Sequence, residues 1–251
     1  MQNIKDLFNL IKGSKYAYAF TGAGVSTLSG IPDFRGVNGV YNTTFEGYNP
    51  EEILHIDFFY KHPEIFYAWC KDVWYNLDEY KPNIVHKTLS KLEKIGYING
   101  IITQNIDMLH TRAGSKKIYE LHGSSRSAHC TKCNKGFSYN DIAPAIRSSK
   151  VPYCDKCKGL IKPDIVLYGE GLDSELLLNV ESICKSCDLL LVLGSSLTVQ
   201  PASILPELVR HYGGKVVIIN NGATYADDFA LMKLDDLKDA FEKLSLLIDN
   251  L

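Results

Sequence analysis

Residues 16–24 read Tyr16-Ala17-Tyr18-Ala19-Phe20-Thr21-Gly22-Ala23-Gly24. A short aromatic and apolar run that ends on two glycines within three residues is the pattern of a buried strand feeding a tight turn. Similar runs recur at residues 98–103, 164–168, 189–193 and 216–219. Helical patterns separate most of them, at residues 85–95, 174–184, 204–211 and 237–248. Strands alternating with helices predict an α/β fold on a Rossmann-like, mostly parallel sheet. Upstream, residues 1–12 place Ile4, Leu7, Phe8 and Ile11 on one face of an amphipathic helix.

Two stretches break the rhythm. Residues 36–80 hold a Gly/Asn-rich loop and then two helices, the second carrying Phe66, Trp69, Cys70, Val73, Trp74 and Leu77 along one face. Residues 125–160 are polar and hold Cys130-x-x-Cys133, twenty residues, then Cys154-x-x-Cys157. Two such pairs can close a tetrahedral thiolate shell around one structural zinc ion. That ion would supply folding free energy on the order of 10 kcal/mol, which so few apolar side chains cannot provide. The expected organisation is a discontinuous Rossmann-like domain of residues 1–35, 81–124 and 161–251. The expected small domain joins the loop and helical insertion, 36–80, to the zinc module, 125–160.

The 251 residues are 45% hydrophobic with a formal net charge of −2, enough for one substantial core and a smaller appendage. No run of like charge points to nucleic acid or a membrane surface, and no apolar run approaches a membrane span of about 18 residues. The N-terminal helix lacks the pattern of a secretory signal. The seven cysteines are therefore expected in a reducing cytoplasm, where paired C-x-x-C motifs mean metal or redox chemistry before disulfides. Cys184-x-x-Cys187 has no second pair and reads as two semi-buried thiols.

Polar residues gather where strands end, the edge at which open α/β sheets bind ligands. Gly22-Ala23-Gly24 would let a pyrophosphate approach a helix N-terminus, or simply make a tight turn, since Thr27 stands where the dinucleotide fingerprint requires glycine. Asp33, Phe34 and Arg35 sit on a Gly/Pro-punctuated loop. Gln104, Asn105 and Asp107 follow the strand at 98–103; contact with a ribose and a carboxamide is one reading, helix capping by Asn105 or Asp107 the other. His122-Gly123 ends the strand-like residues 118–121, Gly194-Ser195-Ser196 follows residues 189–193, and Asn220-Asn221 follows residues 216–219. His129 adjoins the cysteines, but four thiolates already fill the shell.

Together with Gly30-Ile31-Pro32-Asp33-Phe34-Arg35-Gly36, Lys162-Pro163-Asp164-Ile165-Val166 and Gly169-Glu170, these motifs make the chain resemble a sirtuin, one of the NAD-dependent protein deacylases, with a compact bacterial-type catalytic core. The resemblance covers nearly the whole chain in family order. It implies NAD as co-substrate, and acyl-lysine proteins or peptides as partners of a monomer that contacts neither membrane nor nucleic acid directly. His122 would be the general base, with Asn105 and Asp107 holding ribose, water and the nicotinamide carboxamide. Ala23, Gly24, Thr27, Asp33, Phe34, Arg35, Gln104, Ile106, Gly194, Ser195, Ser196, Asn220 and Asn221 would line the NAD site, with an adenine contact near Asp236 and Leu237. Val166, Tyr168, Gly169 and Val199 would border the channel in which a substrate peptide pairs as an added strand.

The implied products are nicotinamide, the free lysine and O-acyl-ADP-ribose, with the zinc outside the chemistry. Val25 and Ser195 stand where isoleucine and threonine are usual, both nearly isosteric changes. Family members that prefer succinyl or malonyl lysine carry Tyr-x-x-Arg in the helical insertion. Here that segment reads Tyr67-Ala68-Trp69-Cys70, so neutral acyl groups are expected. Mono-ADP-ribosyl transfer is the enzymatic alternative. A zinc-ribbon binding module without catalysis is the alternative of another class, and it leaves the polar strand ends unexplained. A dehydrogenase fits less well, because the glycine fingerprint is incomplete.

Overall fold

The computed structural model describes residues 2–36 and 39–250. Met1 of the expected first helix, Val37 and Asn38 of the expected loop, and Leu251 lie outside the described residues. The strands are β1 (Ala17–Thr21), β2 (Gly100–Thr103), β3 (Ile118–Glu120), β4 (Gly123–Cys130), β5 (Gly136–Ser138), β6 (Ile161–Ile165), β7 (Leu189–Leu193), β8 (Lys215–Ile219) and β9 (Met232–Leu234). The helices are α1 (Gln2–Gly13), α2 (Gly24–Thr27), α3 (Pro50–Ile53), α4 (Ile56–Lys61), α5 (Pro63–Val73), α6 (Ile84–Lys94), α7 (Leu109–Arg112), α8 (Tyr139–Arg147), α9 (Ser174–Ser186), α10 (Leu205–His211) and α11 (Leu237–Asp249).

Six strands form a parallel sheet in the order β3-β2-β1-β7-β8-β9. The order reverses between β1 and β7, and the carboxyl edge beside such a switch point is where open α/β sheets bind ligands. Both faces are buried, which is why the strands read as continuous apolar runs. Ala17, Ala19, Leu189, Leu191, Val217 and Ile219 face a core shared with Leu7 and Ile11 of α1, Leu89 and Leu92 of α6, and Phe241 and Leu244 of α11. The alternate residues Phe20, Leu190, Val192, Val216 and Ile218 face a second core with Val180 of α9 and Leu205 and Val209 of α10.

A smaller antiparallel sheet has the order β5-β4-β6. Residues 164–168 read as a further strand of the parallel run, but the strand is Ile161–Ile165 and belongs to this small sheet. Its burial alternates, with Ile161, Pro163 and Ile165 inward and Lys162 and Asp164 less so, the mark of a strand covered on one face. The small sheet thus takes residues from both sides of the expected boundaries at 124/125 and 160/161. Ile142 and Ile146 of α8 join Phe66, Trp69 and Cys70 of α5 in a third core. Tyr139 stacks on Tyr75 with ring centres 5.6 Å apart.

Three short helices replace the two expected over residues 36–80. Pro50 and Pro63 each open a helix, as suits a residue without an N–H. Helix α5 ends at Val73, so Trp74 and Leu77 reach the same core from the turn beyond it.

Candidate active site

The switch point is closed by backbone. The Gly22 N–H donates to Leu193 O at 3.0 Å and the Gly24 N–H to Gly194 O at 2.8 Å. A Cβ at Gly22 would stand 2.7 Å from Gly194 O, and one at Gly24 would stand 2.9 Å from Gly194 Cα. These glycines therefore let the loops after β1 and β7 touch. The Gly22 and Gly24 amides, two of those expected to cradle a pyrophosphate, are committed to protein carbonyls, and α2 is a single turn.

Around this closure the residues after β2 form one hydrogen-bonded cluster. The Gln104 N–H donates to Thr21 O at 3.0 Å, and the Ser195 hydroxyl donates to Gln104 Oε1 at 3.0 Å. Asn105 Nδ2 donates to Gly22 O at 3.0 Å and to Ser26 Oγ at 3.2 Å. The Ser26 hydroxyl in turn donates to Asp107 Oδ2 at 2.5 Å, and Asp107 Oδ1 accepts the Leu109 N–H at 2.8 Å. Asp107 thus takes the first amide of α7 from just before the N-cap residue, Met108, while its second oxygen stays tied to Ser26. It is buried, and burial pushes its carboxyl above the ordinary range against the pull of Ser26, the Leu109 amide and Arg112.

His122 is half-buried at the junction of β3 and β4, and its Nδ1 lies 3.2 Å from Gln104 O. A carbonyl can only accept, so Nδ1 carries the proton and Nε2 is left as the bare nitrogen. Burial pushes the ring's pKa down, and the Gln104 carbonyl partly offsets this. The result is a neutral imidazole at pH 7, the form a general base needs. His122 O accepts the Val166 N–H at 2.9 Å, joining the histidine to the expected channel segment. That segment is extended: the Tyr168 N–H donates to Leu54 O and the Ile56 N–H to Tyr168 O, each at 2.9 Å. Gly169 has φ +88°, and a Cβ there would stand 2.9 Å from His55 Nε2.

Asp33, Phe34 and Arg35 lie on the loop that follows α2. Asp33 Oδ1 accepts the Gly36 N–H at 3.0 Å, and Phe34 packs on Tyr41. Arg35 pairs with Glu51 at 2.9 Å and reaches the Tyr168 hydroxyl at 3.3 Å, so it touches the channel segment. Ile106 is half-buried and its carbonyl accepts the Ser125 N–H. Thr27 and Ser196 are exposed, and Val199 is half-buried in the loop after β7. Asn220 follows β8, its side chain donating to Gly222 O; Asn221 is exposed. Asp236 caps α11 through the Asp239 N–H, with Leu237 opening that helix. These last four share the carboxyl edge of the sheet but make no hydrogen bond to the cluster.

Sequence reading passed over Ser26, Thr21 and Thr103, which tie the cluster together, and Glu51, which holds Arg35. Ser26 stands in the motif Gly22-Ala23-Gly24-Val25-Ser26 that carries the family resemblance, but no role was read for its side chain.

The four cysteine sulfurs lie within 4.8 Å of one another. Cys130 and Cys157 are 3.4 Å apart and Cys133 and Cys154 3.7 Å. Four ligands at about 2.3 Å in a tetrahedron are roughly 3.8 Å apart, so the set fits one zinc ion with no position left open. Each pair sits in a tight knuckle, with Asn134 at φ +57° and Lys158 at φ +60°. The Asn134 and Lys158 N–H groups return to the Cys130 and Cys154 carbonyls. His129 stands outside the shell, its Nδ1 2.7 Å from Asp164.

The model of the Sir2 family matches residues 22–201. A relative from Thermotoga maritima named NAD-dependent protein deacetylase is 45% identical over 92% of each chain. One from Archaeoglobus fulgidus named NAD-dependent protein deacylase 2 is 37% identical over 92% of this chain and 90% of its own. Among solved structures, a substituted Sir2 with deacetylated p53 peptide and 3′-O-acetyl ADP ribose superimposes with a TM-score of 0.91, at 42% identity over 98% of both chains. A Sir2 with p53 peptide and NAD+ does so with a TM-score of 0.88, also at 42% identity over 98% of both chains. With its polar cluster at the switch point, its four-thiolate knuckles and this extent of likeness, the chain belongs to the Sir2 family.

Proposed function

We propose that this chain is an NAD-dependent protein-lysine deacetylase. It consumes NAD, removes acetyl or another neutral acyl group from lysine, and yields nicotinamide and O-acyl-ADP-ribose. The observation that carries the reading is His122, neutral and oriented by Gln104 O, within one hydrogen-bonded cluster with Gln104, Asn105, Asp107 and Ser195 at the switch point. NAD supplies a ribose whose bond to nicotinamide can be exchanged for a bond to the acyl oxygen. Nε2 of His122 accepts a proton from a ribose hydroxyl, and Nδ1 stays bonded to the Gln104 carbonyl throughout. Asn105 and Asp107, braced by Gly22 O, Ser26 and the Leu109 amide, meet ribose and carboxamide without reorganising. Phe34 and Arg35 cover the cofactor from the loop that follows α2. The acyl-lysine peptide lies along residues 166–169, whose backbone is already extended against Leu54 and Ile56.

Neutral acyl groups follow from Tyr67 and Cys70. Tyr67 donates its hydroxyl to Ile161 O at 2.5 Å, and Cys70 is wholly buried with its thiol held neutral. No guanidinium stands there to meet an acyl carboxylate. The zinc ion closes the small sheet and takes no chemical step. No helix among the described residues is long and apolar enough to cross a membrane. The seven cysteines, all free of disulfides, suit a reducing cytoplasm, where we place the enzyme as a monomer acting on proteins and not on nucleic acid.

Incubation with NAD and an acetyl-lysine peptide should release nicotinamide and O-acetyl-ADP-ribose in equal amounts, and a succinyl-lysine peptide should react far more slowly. No nicotinamide release across a varied peptide panel overturns the reading. ADP-ribose found on an acceptor protein in place of the acyl ester would make the enzyme a transferase of ADP-ribose.

A further inference from the structure

Behind the site lies a pair of histidines that the reaction above does not use. His86 on α6 and His110 on α7 are 0% and 3% exposed, with ring centres 4.7 Å apart. His86 Nδ1 accepts the Asn83 N–H at 3.3 Å, so its proton sits on Nε2. Thr21, the last residue of β1, donates its one hydroxyl proton to Thr103 Oγ1, the last residue of β2, at 2.8 Å. The contact of Thr21 Oγ1 with His110 Nε2 at 2.9 Å then requires His110 to donate, which leaves His110 Nδ1 bare.

His86 Nε2 and His110 Nδ1 are among the buried side-chain atoms that find no partner. One is a donor and the other an acceptor, in rings that touch. Burial holds both rings neutral, His110 down to about 4 and His86, further lowered by its neighbour, to about 2. Beyond Thr21, Thr103 Oγ1 also accepts the N–H of Asn105 at 3.0 Å.

We propose that His110, locked in its Nε2–H form by His86, is a positioning residue for the deacetylation. The two rings satisfy each other through His86 Nε2–H and His110 Nδ1 across one water. His110, Thr21 and Thr103 then hold the carboxyl ends of β1 and β2 in the register that presents Asn105. The kinetic part of this inference rests on the proposed function; the tautomer part does not.

The full chain with 15N-labelled histidine tests the second part by long-range proton–nitrogen NMR at pH 7, with His110→Leu assigning the signals. Both rings should appear as neutral Nε2–H tautomers; an Nδ1–H or charged His110 overturns the lock. For the first part, His110→Leu should lower kcat about tenfold to a hundredfold, with the peptide KM little changed. In His110→Gln the amide nitrogen takes the place of Nε2, and most of kcat should return. Thr21→Val, a change of shape too small to unfold the chain, should reproduce the loss. Equal kcat in the leucine and glutamine variants, or an unchanged kcat in Thr21→Val, overturns the positioning role. A wild type without deacetylase activity would sink the functional reading, and the NMR would still decide the histidine pair.

Discussion

His122 is tuned by two opposing influences, burial that lowers its pKa and a carbonyl that raises it, and burial prevails. A base with a lowered pKa stays unprotonated further into the acid range. The acid limb of kcat/KM should therefore fall below the value near 6.5 of an ordinary histidine, as a pH profile on an acetyl peptide will show. His122→Ala should cost about 10²-fold to 10⁴-fold in turnover while zinc content and NAD binding, measured by metal analysis and calorimetry, are kept. Gly194 carries a different requirement. Its φ is +56°, and a Cβ would stand 2.5 Å from the Val25 nitrogen. Gly194→Ala should destabilise the fold by about 1–3 kcal/mol from the left-handed backbone alone, more with the clash, read from urea unfolding. The residue types at both positions were legible in the sequence. The proton on Nδ1 and the contact between Gly194 and Val25 were not, because each depends on a partner many residues away.

At the scale of elements, β4 and β6 carry the link between zinc and chemistry. Cys130 ends β4, and His122 immediately precedes it, so the ion and the base sit at opposite ends of one strand, roughly 25 Å apart at 3.3 Å per residue. The Val166 N–H, just past β6, closes on His122 O at the far end. Loss of zinc should loosen this ladder from the knuckles toward His122. Chelation should lower both activity and the near-ultraviolet signal of the Tyr75–Tyr139 stack. Exchange of zinc for cobalt in the same thiolate shell should leave kcat within about twofold, since the ion has no open position. A large kcat change on exchange would assign the metal to the chemistry. The C-x-x-C spacing announced the ion, whereas the antiparallel pairing of Ile161-Lys162-Pro163 with β4 was hidden. An alternating strand and a parallel one both begin as a short apolar run, and only the partner settles which sheet it joins.

For the whole molecule, the buried histidine pair makes stability depend on pH. Their folded pKa values, about 4 for His110 and about 2 for His86, lie below the ordinary 6.5. Between these values the unfolded chain binds protons that the folded chain refuses. The stability they contribute is thus full above about pH 6.5 and falls as pH drops, by at most roughly 3 kcal/mol from His110 by pH 4. Asp107, pushed up by burial, acts in the opposite sense and returns part of that loss in the carboxylate range. The Tm should decline from pH 7 to pH 5, and His110→Gln should flatten the decline. By itself the sequence determined the parallel strands β1, β2, β7 and β8, the zinc ligands and the polar residues at the strand ends, because apolar periodicity and ligand spacing are local properties. Only the tertiary structure decided that Ser26 braces Asp107, that the Gly22 and Gly24 amides close the switch point, and that His86 faces His110. Each of these joins positions separated by tens of residues along the chain, where a hydrogen bond is set by packing and leaves no local pattern.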